Sequence, residues 1–132
     1  SMSLQQEVFR ACISLAEQMH LPLVVHAVKC TEELFRIHKE LKPQMPWIIH
    51  GFRGRKEVAE QYLERGFYLS FGEHFHEEAL RSTPLERLLL ETDESRLSME
   101  EICRKAASVY GLPAEILAAR ITSNAQKVLF LQ

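Results

Sequence analysis

The chain has 132 residues, enough for one hydrophobic core and near the commonest size of a single domain. At 46% hydrophobic and 26% charged it is not a disordered or low-complexity segment, and no apolar run approaches the roughly 20 residues of a membrane span. A formal net charge of −2 gives no bulk support to general nucleic-acid binding, so any such role has to come from a local site.

The opening Ser1-Met2-Ser3 reads as a tag residue ahead of an initiator Met, and no stretch has the form of a signal peptide. Cys12, Cys30 and Cys103 are odd in number and widely spaced, which suits reduced thiols in a cytoplasmic protein. Ser3 with Gln6 forms a capping-box pattern ahead of a helix to about Met19, with Val8, Phe9, Cys12, Ile13, Ala16 and Met19 on one face. Residues 21–26 are an apolar run ending in His26 and read as a strand. Thr31 can cap a helix carrying Leu34, Phe35, Ile37 and Leu41, which stops before Pro43.

Residues 46–50 form a second strand ending in His50. A helix marked by Val58, Ala59, Tyr62 and Leu63 follows, with Gly66 as its left-handed cap. Residues 66–72 are a third strand, residues 76–81 a short weak helix, and residues 87–93 a fourth strand ending in Asp93. Ser98 with Glu101 is a second capping box, opening a helix that ends near Gly111. Pro113 starts another helix, and Thr122 or Ser123 caps a last one through Ala125, Val128 and Leu129.

The strands begin roughly twenty residues apart, which leaves room for the helix that a parallel connection needs. Their near-continuous apolar character suits strands buried on both faces. The expectation is therefore an α/β fold of parallel strands in βα units, with residues 1–132 forming one domain. That is length for half of an eight-fold barrel or for an open four-stranded doubly wound sheet.

In parallel α/β proteins the C-terminal strand ends converge on one crevice. Here they carry His26, His50 and Asp93, while the third strand ends in Gly72-Glu73. A single histidine at such a place is ordinarily a hydrogen-bonded structural residue. Two imidazoles and a carboxylate at equivalent ends form a candidate divalent-metal site that keeps a position for water.

Five segments occur in a familiar order. They are Val24-Val25-His26, Ile48-Ile49-His50-Gly51-Phe52-Arg53-Gly54, Gly66-Phe67-Tyr68-Leu69-Ser70-Phe71-Gly72, Leu88-Leu89-Leu90-Glu91-Thr92-Asp93, and Ile121-Thr122-Ser123-Asn124-Ala125-Gln126-Lys127-Val128-Leu129-Phe130. In this order the chain resembles the C-terminal half of TatD-family hydrolases, with V-V-H, I-H-C-F-S-G, G-F-Y-I-S-F-G-G, L-L-E-T-D-A-P and T-x-x-N-A-x-x-L-F. The opening Gln6-Glu7-Val8-Phe9 is similar to the family's Q-E-x-x-F.

The resemblance implies strands five to eight of a TIM (β/α)8 barrel with C-terminal helices. It also implies a metal-dependent hydrolase, a deoxyribonuclease acting on phosphodiesters. His26, His50 and Asp93 match the family's metal ligands on strands five, six and eight, and Asp93 also matches the residue that orients or deprotonates the attacking water. The cofactor implied is a divalent ion, Mg, Mn or Zn. Arg53 and Lys29 are candidate substrate contacts at the mouth, and Glu91, two residues before Asp93, is a candidate partner behind the ligands.

The family's first-strand H-x-H and fourth-strand glutamate have no counterpart here, and His74-Phe75-His76 follows strand seven in register. The chain alone is therefore expected to bind metal weakly or not at all and to show nuclease activity near background. The mouth loops also depart from the pattern, at Gly51, Arg53, Glu73 and Glu94-Ser95. Rival readings are a non-catalytic remnant that binds a partner, and an amide or ester hydrolase on the same barrel. Exposed sheet edges lead to the expectation of a homo-oligomer, or of pairing with an N-terminal half.

Overall fold

The structure is a computed structural model that describes residues 2–26 and 30–129, apart from the side chains of Met2 and Ser3. In chain order the elements are α1 (Met2–Met19), β1 (Leu23–His26), α2 (Thr31–Leu41), β2 (Trp47–His50), α3 (Lys56–Glu64) and β3 (Tyr68–Phe71). There follow α4 (Glu77–Ser82), a 3-10 turn (Leu85–Arg87), β4 (Leu88–Leu90), α5 (Met99–Tyr110) and α6 (Ala114–Leu129). The architecture is α/β, with parallel strands in βα units. Among the described residues no helix is long and apolar enough to cross a membrane.

The four strands lie in the order β1-β2-β3-β4, all parallel. A doubly wound sheet reverses its strand order at a switch point, whereas a barrel adds each strand beside the last. The unreversed order therefore rules out the doubly wound alternative within this sheet.

Strand alternation divides the side chains between two faces. Leu23, Trp47, Ile49, Phe67, Leu69, Phe71, Leu88 and Leu90 join the core with Ile13, Leu34, Ile37, Tyr62, Leu80, Ile102 and Leu117 from the helices. Val24, Ile48, Tyr68, Ser70 and Leu89 lie on the opposite face. The central strands β2 and β3 are mostly buried, but Val24 on the edge strand β1 is 48% exposed.

Local chemistry accounts for the element ends. Ser98 and Glu101 make the expected reciprocal capping box, and Gly111 closes α5 at φ +70°. Gly66 turns the chain after α3 at φ +86°, one residue beyond the helix's C-cap Arg65. Asn124 is buried in α6 and donates to the carbonyls of Leu85 (2.6 Å) and Leu88 (2.8 Å), which ties the last helix to the start of β4. The Tyr110 hydroxyl, with its single proton, lies between the carbonyls of Leu80 (2.7 Å) and Thr83 (2.8 Å), and burial pushes its phenol above the ordinary range.

Several sequence expectations are corrected. The strands are shorter than the apolar runs: β1 starts at Leu23, β3 at Tyr68, and β4 ends at Leu90, so the expected strand end Asp93 lies beyond it in a turn. Cys30, not Thr31, occupies the N-cap position of α2, and no side-chain bond caps it. The two final helices are one, since neither Gly nor Pro interrupts residues 114–129, and Asn124 uses its amide for tertiary bonds instead of a cap. Gln6 reaches Glu33 on α2, and α1 already includes Ser3. On the predicted face of α1, Phe9, Ile13 and Ala16 pack while Val8, Cys12 and Met19 are exposed. His38 is half-buried, with ring centroids 4.7 Å from both Trp47 and Phe67. That burial, together with the nearby Arg65, lowers its pKa.

Candidate metal centre

The C-terminal ends of β1, β2 and β4 open on a cleft of about 670 Å³, lined by His26, His50, Gly51, Arg53, Glu91, Asp93 and Glu94. His26 and His50 are register partners at the ends of β1 and β2. Their rings meet edge to face with centroids 4.7 Å apart. Each follows a helix-facing residue, Val25 or Ile49, so alternation turns both toward the opposite face of the sheet.

Glu91 extends β4 by one rung, its N–H donating to the carbonyl of Phe71 at 2.9 Å. The chain beyond it folds into a tight turn, with the Ser95 N–H bonded to the Thr92 carbonyl at 2.8 Å and Glu94 at φ +59°. Glu91 and Asp93, two residues apart, both reach His50. The His50 Nε2 lies 2.6 Å from Glu91 Oε2 and 2.7 Å from Asp93 Oδ2. The other oxygen of Glu91 accepts the Gly51 N–H at 2.6 Å. Gly51 stands at φ +66°, a conformation in which a side chain would be strained, and it lets the chain leave β2 directly beneath Glu91.

The three donor atoms of His50, Glu91 and Asp93 lie within 4.8 Å of one another. A ring nitrogen carries at most one proton and can make one linear hydrogen bond, so two carboxylate oxygens at this range overfill it. One imidazole nitrogen and two carboxylate oxygens closing on a common point suit a divalent cation with nitrogen and oxygen ligands, and the donor set fits a possible metal site. Asp93 faces solvent, with 68% of its side chain exposed, whereas Glu91 is 10% exposed and held from two sides.

The residues singled out in the sequence fall in three groups. His50 and Asp93 meet, His26 lines the same cleft outside the three-donor cluster, and Arg53 lies on the cleft wall. Lys29 lies outside the described residues. Glu91 is in direct contact with His50, closer than a partner behind the ligands, and the two-residue spacing to Asp93 already held that signal. Glu94 also lines the cleft; in the sequence it stood out only as a departure from the family pattern in a mouth loop. His74 is exposed beside Glu73 at 3.5 Å, and His76 takes the N-cap position of α4.

A family model described as TatD related DNase matches residues 1–130. The chain is 38% identical over 98 residues to the "Uncharacterized metal-dependent hydrolase YabD" of Bacillus subtilis, a match covering 68% of this chain and 38% of that protein. It is 29% identical over 96 residues to the "Deoxyribonuclease Tat-D" of Schizosaccharomyces pombe, covering 67% of this chain and 31% of that one. The fold superposes on the crystal structure of the TatD homolog YJJV from Escherichia coli with a TM-score of 0.84 at 20% identity, over 98% of this chain and 58% of that one. The matched region thus spans about a third to three-fifths of these relatives' lengths. The chain belongs to the TatD-related DNase family.

Proposed function

We propose that this chain carries part of the active site of a metal-dependent hydrolase acting on phosphodiester bonds, most naturally those of DNA. The observation that carries the reading is the closure of His50 Nε2 and the Glu91 and Asp93 oxygens on one point, at the end of a parallel sheet where loops converge. The relatives' descriptions as metal-dependent hydrolases and a deoxyribonuclease agree with it.

His50, Glu91 and Asp93 would hold the ion, with His26 next in reach. Carboxylates suit Mg or Mn, and imidazole suits Mn or Zn. When bound, a divalent ion supplies Lewis acidity toward water and toward a phosphate oxygen. Glu91 is fixed by the Gly51 N–H, and His26 supports the His50 ring by its edge contact. Asp93, open to solvent, orients an attacking water and accepts its proton. Arg53 on the cleft wall meets the phosphate.

The experiment has two arms. Mn2+ added to isotope-labelled protein broadens the resonances of His50, Glu91 and Asp93 first, and His50→Ala abolishes the effect. Broadening that starts elsewhere refutes the metal site. In the second arm DNA, a small amide and a small ester are incubated with and without divalent metal. This chain alone gives DNA hydrolysis near background, because the described donors make an incomplete set. Metal-dependent cleavage of the amide or ester with none of DNA would favour hydrolysis of those bonds instead.

A second reading, association with another polypeptide, rests on the exposure of Val24 and on a groove of about 720 Å³ between β4, α5 and α6. A second copy or an N-terminal half would cover these surfaces.

A further inference from the structure

Asp93 sits in a tight turn that includes one residue at positive φ. Glu94 occupies the left-handed region at φ +59°, which a side chain adopts at a cost of about 1 kcal/mol and which persists where the surroundings over-determine it. Within the turn, the Ser95 N–H bonds the Thr92 carbonyl at 2.8 Å. The outside support comes from the loop after β3. Glu73 Oε1 accepts the Ser95 hydroxyl at 3.0 Å and the Arg96 N–H at 3.4 Å, while the Ser95 Oγ also accepts the Leu97 N–H at 2.9 Å. Glu73 is itself anchored, since Lys105 of α5 donates to its backbone carbonyl at 2.5 Å. The Lys105 ammonium lies 4.9 Å above the Phe75 ring, which packs on the core. The bond from Ser95 also holds the Glu73 carboxyl below its usual pKa, in keeping with an ionised acceptor.

We infer that Glu73 is a positioning residue: through Ser95 and Arg96 it holds the Thr92–Ser95 turn and so fixes where the Asp93 carboxylate stands relative to His50. Both residues lie in the mouth loops, so the device couples the end of β3 to the end of β4 without touching the donor cluster. The consequence for metal affinity rests on the proposed metal centre, while the consequence for the turn does not.

The test compares wild type, Glu73→Ala and Glu73→Gln by amide hydrogen exchange and by Mn2+ titration. Ser95→Ala serves as the second variant, since it removes the other half of the bond. The decisive amide is that of Ser95, which bonds inside the turn and not to Glu73. A purely local bond would expose the Arg96 amide and leave Ser95 protected. The expected result is a roughly tenfold loss of Ser95 protection in Glu73→Ala and Ser95→Ala, with Glu73→Gln, which keeps an acceptor, close to wild type. Mn2+ affinity at the cleft falls about tenfold in the same two variants. Unchanged Ser95 protection overturns the inference, and so does lost protection with unchanged Mn2+ affinity. If wild type shows no Mn2+ effect at His50, Glu91 and Asp93, the metal centre fails, and the exchange arm alone decides whether Glu73 holds the turn.

Discussion

Replacing Asn124 with alanine tests how the last helix holds the strand that carries the site. Asn124 is 2% exposed, and its amide donates to the carbonyls of Leu85 and Leu88 at 2.6 and 2.8 Å. The Leu85 carbonyl keeps a second partner, the Leu88 N–H. One bond is therefore lost at roughly the net value of about 1 kcal/mol, and the other leaves a carbonyl facing a small void, which costs about 1 to 2 kcal/mol more. The sum is about 2 to 3 kcal/mol, or a fall in Tm of roughly 6 to 12 °C for a chain of this size. Asn124→Asp should cost at least as much, because a carboxylate cannot donate to either carbonyl and is buried without a cationic partner. Urea unfolding followed by circular dichroism measures all three proteins. A change below 0.5 kcal/mol for Asn124→Ala would refute the claim that these two bonds anchor β4.

Gly51→Ala should destabilise by about 1 kcal/mol, from its positive φ alone, since the added methyl would meet only Glu91 Oε2 at 4.0 Å; no change on denaturant unfolding would contradict this. Burial lowers the His38 pKa, so the unfolded chain takes up a proton before the folded one as pH falls. Stability should thus be fully present above about pH 6.5 and decline below it, and His38→Gln should flatten that slope in urea titrations at several pH values. Light scattering should give a mass above the 15.3 kDa of one chain at micromolar concentration; a stable monomer with little hydrophobic-dye binding would refute the association reading.

Period and composition carried the fold a long way. The βα spacing and the apolar runs placed all four strands, and Ser98, Glu101, Gly66 and Gly111 marked their turns because capping is local chemistry. Strand length was less legible, since an apolar residue beside a strand looks the same whether it pairs or packs a loop. Thr122 and Ser123 misled because a hydroxyl residue caps a helix only where the helix ends, and nothing local ends α6. The burial of His38 was likewise not legible, because it depends on Trp47 of β2 and Phe67, just ahead of β3, arriving from distant parts of the chain.

At the site, His26 and His50 were legible as strand-end residues, whereas Asp93, expected to end the fourth strand, lies three residues beyond β4 in the Thr92–Ser95 turn. Glu91 was legible through its two-residue spacing. Direct contact between Glu91 and His50 was not, because it depends on the register that brings β4 level with β2 across β3. Glu73, Glu94 and Ser95 stood out as departures in the mouth loops, but the left-handed turn at Glu94 and the bond from Ser95 to Glu73 are products of a conformation that those departures do not reveal.

The central claim is that His50, Glu91 and Asp93 form a divalent-metal centre. Paramagnetic broadening by Mn2+ tests it most directly, because it locates even a weakly held ion. The account predicts that the His50, Glu91 and Asp93 signals broaden first, that His26 follows, and that Glu91→Ala and His50→Ala each remove the effect while the fold persists. Broadening that begins at other acidic side chains, such as Glu77 or Glu100, and is indifferent to His50→Ala would contradict it.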